Sequence, residues 1–408
     1  MPVLLIGTLD TKGQEIAFVR ELLTRERVAT LTADAGGLSP PPFQPDITRD
    51  ELFAAADVKL ADIIKAGDRG RAVEAAARGA AAIAVDLCKR GELDGILALG
   101  GSAGTTIGTA AMRALPFGVP KLMVSTLASG QVKQYVGVCD ILMLHSVVDI
   151  SGLNRISRTV LANAAAAMAG MGRNRHAEDR SQQSDKHVIA ATMFGVTTPC
   201  VEAARSIVEK RGFEVLVFHA TGTGGMTMES FIRDGLMRGV LDLTTTELAD
   251  ELVGGILTAG PDRMTAAGLR GVPQVISLGA LDMVNFGPPD TVPERFRSRR
   301  FYQHNPTVTL MRTTPAENDR LGQEIAQKAS AAAGPTTVLV PRRGVSAIDR
   351  EGQPFWWPEA DAALFQSLRN WMSPQVRLIE TDLHINDPEF AELASSALLE
   401  MLAIQESR

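Results

Sequence analysis

Short apolar runs alternate with amphipathic stretches along the chain. In the first half, runs of strand length lie at residues 3–6, 28–33, 95–99, 121–125 and 141–148. Between them, apolar residues recur at helical spacing, as with Ile16, Val19 and Leu23. Thr11 and Gln14 have capping-box spacing, so we expect the first helix to begin at Thr11. Strand, glycine loop, helix and strand in this order are typical of a doubly wound parallel sheet.

The same plan restarts after a polar segment at residues 172–186, which we interpret as a linker. Further strand-like runs, expected to form one second sheet, lie at residues 187–193, 213–219, 240–243, 275–278, 308–311, 338–340 and 376–379. The pattern predicts an α/β protein with two Rossmann-like doubly wound domains, mainly parallel sheets and an interdomain cleft. We place a nucleotide-binding α/β domain at residues 1–178 and a second α/β domain at 179–408. The cleft between them is the expected place for a ligand.

Composition and charge narrow the class of protein. The 408 residues include 41 Lys plus Arg and 47 Asp plus Glu, and this mild acidity argues against a nucleic-acid partner. No apolar run approaches the ~20 residues of a membrane span, so no membrane partner is expected. Cys88, Cys139 and Cys200 are too scattered for a disulfide framework, which favours the cytoplasm. Glycine is abundant, at 37 residues, as in enzymes whose backbone approaches a ligand closely.

The turn after the first strand has residues suited to an anion. Its candidate binding residues are Gly7, Thr8, Asp10, Thr11 and Lys12. N–H groups at the following helix start attract negative charge, and Lys12 adds a cation. The turn is neither a Walker A loop nor a GxGxxG motif. Simple capping of the helix by Thr11 explains the turn equally well.

A second loop, after the strand at residues 95–99, is the stronger candidate. Its candidate residues are Gly100, Gly101, Ser102, Gly104 and Thr105. Two glycines let the backbone pass close to a ligand, and the hydroxyls stand at the next helix start. The alternative is close packing of strand on helix. We favour phosphate binding because this is the second such loop in the same half.

Other first-half residues extend the predicted nucleotide site. Asp34 ends the second strand, where an acid typically accepts hydrogen bonds from a ribose hydroxyl, although an Asx turn before Gly36 is the alternative. Thr126, Ser129 and Gly130 follow the fourth strand and are further candidates for the same pocket.

The second half holds two features with open interpretations. Residues 221–225 nearly match the dinucleotide fingerprint, but Thr227 stands where the third glycine belongs, which disfavours a nicotinamide enzyme. Glu247, Asp250 and Glu251 share one helix face and could hold magnesium or act as a base. A solvated helix start is the preferred explanation of these acids. No histidine pair has zinc-ligand spacing, and no metal site is assigned.

With these motifs in place, the chain resembles the family of the ATP-binding domain of the tomato mosaic virus resistance protein and its uncharacterised bacterial homologues. The resemblance covers essentially the whole chain and rests on residues 7–13, 100–102, 241–247, 249–255, 279–287, 304–306 and 311–314. One departure is Ala103, where this family more often has glycine, and its methyl could crowd a phosphate if the residue needs positive φ. The plant protein's antiviral role is an acquired interaction and is not transferred to this chain.

The resemblance implies two Rossmann-like subdomains, ATP bound mainly by the first, and a homodimer. We therefore expect a cytoplasmic protein that binds ATP, with or without magnesium, and uses it on an unidentified small molecule. Asp10, Glu247 and Asp250 are the candidate catalytic residues. The alternative is a non-catalytic, ATP-regulated binding module or a subunit of a metabolic complex.

Overall fold

A computed structural model describes residues 1–37, 39–130, 132–176 and 186–406 of the chain. The chain forms two compact units, Met1–Gln183 and Ser184–Arg408. The predicted boundary between residues 178 and 179 lies outside the described residues.

The first unit is a five-stranded parallel sheet flanked by helices. Its strands are β1 (Val3–Gly7), β2 (Thr30–Asp34), β3 (Gly95–Gly100), β4 (Lys121–Ser125) and β5 (Leu142–His145). Its helices are α1 (Leu9–Arg25), α2 (Arg49–Ala54), α3 (Leu60–Ala66), α4 (Arg69–Lys89), α5 (Ser102–Arg113), α6 (Lys133–Val136) and α7 (Arg155–Arg175). The strand order is β2-β1-β3-β4-β5, and every neighbouring pair is parallel.

Strand β1 shows why both faces of this sheet are covered. Its side chains alternate between faces. Leu4 and Ile6 join the core built with α4 and α5, whereas Val3 and Leu5 join the core built with α1 and α7. The chain leaves β1 for β2 on one side and later returns to β3 on the other. The carboxyl ends of β1 and β3 therefore flank a topological switch point, where open α/β sheets bind ligands.

Two predicted boundaries in this unit were wrong. Helix α1 begins at Leu9 rather than Thr11, because Thr8 occupies the N-cap position and its carbonyl accepts from the N–H groups of Thr11 and Lys12 at 3.0 and 2.8 Å. Lys12 consequently lies in the first turn of the helix. Helix α7 continues to Arg175, so the predicted linker at residues 172–186 starts inside a helix. Residues 177–185 of that linker lie outside the described residues.

The second unit repeats the plan with a larger parallel sheet and a small antiparallel one. Its strands are β6 (Val188–Met193), β7 (Glu214–His219), β8 (Gly239–Thr244), β9 (Gln274–Gly279), β10 (Met283–Phe286), β11 (Phe301–Asn305), β12 (Val308–Arg312), β13 (Thr336–Pro341) and β14 (Arg377–Thr381). Its helices are α8 (Thr198–Glu209), α9 (Thr223–Arg233), α10 (Thr246–Val253), α11 (Ala266–Arg270), α12 (Pro315–Ser330), α13 (Pro358–Trp371) and α14 (Pro388–Glu406).

The large sheet has the order β14-β13-β9-β8-β6-β7 with all neighbours parallel. The first five strands of this sheet in chain order are β6, β7, β8, β9 and β13, and they have the same relative order as the five strands of the first unit. This confirms the predicted repeated plan. The expectation that residues 308–311 belong to this sheet was wrong. Strand β12 pairs antiparallel with β10 and β11 in a separate three-stranded sheet. Its apolar run looks like a parallel strand in sequence, and the polar β11 gives no strand pattern of its own.

No helix in the described parts of the chain combines the length and the apolar character needed to cross a bilayer.

Replacing Ile16 with Ala should destabilise the first unit. Ile16 is fully buried between α1 and the sheet, so its truncation leaves a cavity that costs about 2–5 kcal/mol of unfolding free energy. Urea denaturation of Ile16→Ala measures this loss. Gln14→Ala, on the exposed side of the same helix, is the control and should change stability by no more than about 0.5 kcal/mol. Equal midpoints for the two variants would contradict this packing.

Candidate functional site

A cavity of about 570 Å³ lies at the carboxyl ends of β1 and β3 in the first unit. The predicted binding residues that line it are Thr8, Asp10, Thr11, Lys12, Gly100, Gly101, Ser102 and Gly104. The structure thus brings the two predicted loops, about 90 residues apart in sequence, to one concave surface. The predicted residues outside the lining are Gly7, Asp34, Thr105, Thr126, Ser129 and Gly130.

Two helices begin at this cavity. The N-cap residues of α1 and α5, Thr8 and Gly101, make no side-chain capping hydrogen bond. In α5 the first intrahelical donor to Gly101 is the N–H of Thr105, at 2.8 Å, so the earlier N–H groups of the helix have no partner within it. These N–H groups and the aligned peptide dipoles give the loop at residues 100–104 a positive potential.

The glycine loop also depends on close packing. A Cβ atom on Gly100 would lie 2.8 Å from the Cα atom of Gly104, so the strand end and the helix start can approach only without side chains. The packing explanation is therefore true of Gly100 and does not compete with ligand binding at its neighbours. Ala103 lies within α5 and is not among the residues with positive φ. The expected crowding of a phosphate required positive φ at this residue, so this condition is not met.

The loop between β5 and α7 closes one side of the cavity. Lys12 Nζ donates a hydrogen bond to the carbonyl oxygen of Ile150, and Asp149 lines the cavity. Glu15 Oε1 accepts from the N–H of Gly152 at 2.7 Å, which ties the same loop to α1. Asp149 was not among the predicted site residues, although an acid directly after the predicted strand at residues 141–148 could have indicated it.

Apolar side chains form another part of the cavity lining, the apolar wall. Its side chains come from α2, α3, α4 and α5 and include Phe53, Ile63, Ile64, Val73 and Ile107. Arg69, at the start of α4, also lines it. No local motif marks these residues, because only the folded arrangement of α2 to α4 brings them to the sheet edge.

The Asp34 carboxylate connects the end of β2 to the start of α1 through backbone hydrogen bonds. Its side chain is fully buried, and Oδ1 accepts from the N–H groups of Leu9 and Gly36 at 3.1 and 2.8 Å. Oδ2 lies 3.3 Å from Nε of Arg49. Burial raises the pKa of Asp34, and the two backbone donors partly oppose that shift. This geometry is the Asx turn considered as the alternative, and it leaves the carboxylate buried and outside the cavity lining.

Two further polar candidates from this half, Thr105 and Thr126, make internal contacts. Thr105 Oγ1 donates to the carbonyl of Gly101 at 2.7 Å and lies 2.7 Å from Ser125 Oγ. Thr126 donates its N–H to the carbonyl of Gly100 at 3.3 Å. These bonds fix the strand ends beneath the cavity.

In the second unit, Glu247 occupies the glycine loop at residues 222–225. Its Oε1 accepts from the N–H groups of Gly222 and Gly225 at 2.7 and 3.1 Å, at the start of α9. A Cβ atom on Gly225 would lie 2.1 Å from Glu247 Oε2, so the carboxylate fits only against glycine. The loop that nearly matches a dinucleotide fingerprint is thus filled by the protein's own anion.

Arg263 compensates this buried charge. Its guanidinium is fully buried, with Nε 2.6 Å from Glu247 Oε2. Nη1 and Nη2 make a bidentate pair with Asp242 at 2.5 and 2.6 Å. Buried charges persist only when paired and hydrogen-bonded in this way.

The expected solvated helix start was wrong for Glu247 and Asp250 and correct for Glu251. Glu247 and Asp250 are fully buried, whereas Glu251 is exposed. Asp250 accepts from the N–H of Asn285 at 3.0 Å, from Asn285 Nδ2 at 2.6 Å and from the N–H of Leu257 at 3.3 Å. Neither buried carboxylate lines the first-unit cavity. No cluster of three or more potential His, Cys, Asp or Glu metal ligands occurs among the described residues.

Comparison with protein families agrees with the two-unit division. The N-terminal domain model of the uncharacterised protein family UPF0261 matches residues 1–177, and its C-terminal domain model matches residues 186–402. The chain belongs to the UPF0261 family. This confirms the family resemblance inferred from the motifs.

Individual members show the same relation. A UPF0261 protein of Clostridium tetani is 48% identical over 401 residues, covering 98% of each chain, and one of Rhizobium meliloti is 47% identical, covering 97% of this chain and 98% of its own. The tomato ToMV resistance protein Tm-1(GCR237) is 46% identical over 313 residues, which are 76% of this chain and 42% of the tomato protein.

Solved structures resemble the UPF0261 chain only weakly. A UDP-N-acetylglucosamine 2-epimerase from Rickettsia bellii covers 98% of this chain and 95% of its own at 9% identity, with a TM-score of 0.23. The epimerase from Neisseria meningitidis bound to UDP-GlcNAc covers 68% of this chain and 82% of its own at 8% identity, also with a TM-score of 0.23. Likeness at this level carries no conclusion about a ligand.

The burial of Asp250 predicts a pH dependence of stability. Burial raises the pKa of Asp250 from 3.8 to about 7, and its hydrogen bonds to Asn285 only partly oppose this. Between about pH 4 and 7 the folded protein keeps a proton that the unfolded chain releases, so this group's contribution to stability is lost as pH rises. We expect the unfolding free energy of Asp250→Asn, relative to the native protein, to rise across this window. Urea denaturation at successive pH values measures it.

Glu251→Gln, one residue away and exposed, is the control for the removal of a neighbouring carboxylate that is not buried. A constant difference for Asp250→Asn would show that Asp250 ionises normally in the folded protein.

Proposed function

We propose that the chain is a cytoplasmic protein that binds ATP in the first-unit cavity and uses it as an enzyme on a small metabolite. The observation that carries the proposal is the convergence of two helix N-termini, those of α1 and α5, on one cavity at a topological switch point. This is where open parallel sheets bind nucleotide phosphates.

The lining offers a complementary environment for each part of a nucleotide. The loop at residues 100–104 offers N–H donors and the Ser102 hydroxyl to phosphate oxygens, and Lys12 supplies a positive charge. The wall formed by Phe53, Ile63 and Val73 offers an apolar surface of the kind that accepts a base. ATP, when bound, supplies a phosphoryl group with two further phosphates for these donors to hold.

Two carboxylates suit a magnesium ion that arrives with ATP. Asp10 and Asp149 both line the cavity, beside Lys12. Mg²⁺ is usually held by one or two carboxylates together with substrate phosphates and water. We assign Asp10 this role, or that of a base, in preference to the buried Glu247 and Asp250.

The alternative, a non-catalytic module regulated by ATP, is favoured by the sequestered second-unit acids. The carboxylate oxygens of Glu247 and Asp250 accept hydrogen bonds from donors within the second unit, so neither carboxylate is available to an incoming substrate. ATP would then act by stabilising the first unit. The homodimer remains a prediction under both proposals.

Replacing Lys12 with Ala should weaken ATP binding. A charge-assisted hydrogen bond to phosphate contributes about 1.5–3 kcal/mol, so we expect the Kd to rise roughly tenfold to 100-fold. Titration calorimetry with ATP and Mg²⁺ measures this. Lys89→Ala removes an exposed lysine from the same unit and should leave the Kd unchanged. Equal affinities for the native protein and Lys12→Ala would remove Lys12 from the site.

Turnover separates the two proposals. Release of phosphate or pyrophosphate from ATP, dependent on one member of a metabolite panel and lost in Asp10→Asn, supports the enzyme. Strong thermal stabilisation by ATP without turnover across the panel supports the module. No binding of ATP by the native protein would refute both.

A further inference from the structure

A second cavity, of about 640 Å³, lies wholly within the second unit. Arg342, Arg343 and Gly344 line it directly after β13, and α13 lines the opposite side. It therefore lies at a strand carboxyl end, as the first-unit cavity does, but on a different sheet. Ligands of parallel sheets bind at this edge.

The backbone of the two arginines is held in place. The N–H groups of Arg342 and Arg343 donate to the carbonyls of Thr381 and Leu383, each at 3.0 Å. Gly344 follows with φ of +127°, and a Cβ atom there would lie 1.8 Å from the carbonyl oxygen of Asp349. With this sharp turn, two consecutive exposed residues line one cavity, whereas a continuing strand would send their side chains to opposite faces.

Two acids near these arginines, Asp361 and Glu380, are paired with other arginines. Asp361 lines the cavity, but its Oδ1 lies 2.6 Å from Nη2 of the buried Arg312. Glu380 makes a bidentate pair with Arg369, with both contacts at 2.6 Å. In the part of the chain that the structure describes, neither Arg342 nor Arg343 forms a salt bridge.

Two further features complete this environment. Burial raises the pKa of Asp361 to about 8, and the neighbouring Arg312 guanidinium partly opposes this shift, so the charge of an ionised Asp361 is directed to Arg312. Trp356 also lines the cavity, and 43% of this residue is exposed, so an aromatic residue is accessible there. Glu359 also lines the cavity, so three arginines, Arg342, Arg343 and Arg369, face two acids, Glu359 and Asp361, in a lining that also includes an aromatic residue.

We propose that this second-unit cavity binds a small metabolite that carries a phosphate or carboxylate group. Guanidinium groups recognise both oxyanions through charge-assisted, often bidentate hydrogen bonds. The site is independent of the first-unit cavity, so it adds an anionic ligand to the chain whether or not ATP binds there.

Tryptophan fluorescence tests this without ATP. All three tryptophans, Trp356, Trp357 and Trp371, belong to the second unit, so their emission reports on that unit. Titration uses inorganic phosphate, pyrophosphate, succinate and citrate, with sodium chloride matching ionic strength. We expect a saturable change with at least one of the four, lost in Trp356→Phe. The preferred probe tells a phosphate ligand from a carboxylate one.

The double variant Arg342→Gln/Arg343→Gln should weaken binding of that probe at least about tenfold, since it removes two charge-assisted donors. Both side chains are exposed, and Arg343→Gln alone provides a milder change. Lys210→Gln/Arg211→Gln removes two adjacent exposed charges elsewhere in the unit and should bind like the native protein, as should Lys12→Ala.

The proposal fails if no probe gives a saturable change, or if the Arg342/Arg343 variant binds as tightly as the native protein. It also fails if the Lys210/Arg211 control loses as much affinity, because the effect would then be one of net charge. Loss in Lys12→Ala would assign the probe to the first unit. Since ATP is absent throughout, failure here leaves the ATP proposal untouched.

Discussion

In a parallel sheet every strand ends at the same edge, and each helix that follows a strand begins there with N–H groups that lack helical partners. Both units of this protein are built around that constraint, since they share the winding of their first five strands. In the first unit the N-termini of α1 and α5 open onto a cavity. In the second unit the N-terminus of α9 holds the Glu247 carboxylate. The same backbone chemistry therefore faces an open cavity in one unit and a carboxylate of the chain itself in the other.

The buried charges of the second unit follow from this filling. A carboxylate removed from water must be compensated, and Arg263 does so while also pairing with Asp242 on β8. Removing one member of such a cluster leaves an unpaired buried charge, which is far more costly than an ordinary core substitution. The stability of the second unit therefore depends jointly on the start of α9, on β8 and on Arg263.

The sequence predicted the strands and the loops well because both have local signals. Apolar runs of strand length located β1, β3, β4 and β6 closely, and the glycine loops after β1 and β3 lie at one cavity as expected. The start of α1 was misplaced because a capping-box spacing at Thr11 competes with Thr8, and only the backbone geometry decides between them. β12 was assigned to the wrong sheet because an apolar run does not reveal its partner.

The sequence did not predict which side chains are buried and which of them meet in the folded chain. Glu247 and Asp250 look like the acidic first turn of an exposed helix, since their partners Arg263 and Asn285 are distant in sequence or carry no motif. Asp34 has the position of a ribose acceptor, yet Leu9 and Gly36 take up Oδ1, one of its two oxygens. Most of the apolar wall of the first cavity comes from the three helices between β2 and β3, whose packing no periodicity reveals.

Glu247 makes the helix starts of the two units chemically different. Glu247 is the second residue of α10, and Ala103 is the second residue of α5, the helix in the corresponding place of the first unit. A group tethered within the chain has an effective concentration that a dissolved anion does not reach. The start of α9 is therefore saturated at any cellular phosphate level. The first unit has the methyl group of Ala103 at the matching position, so this position brings no anion of the chain to its helix starts.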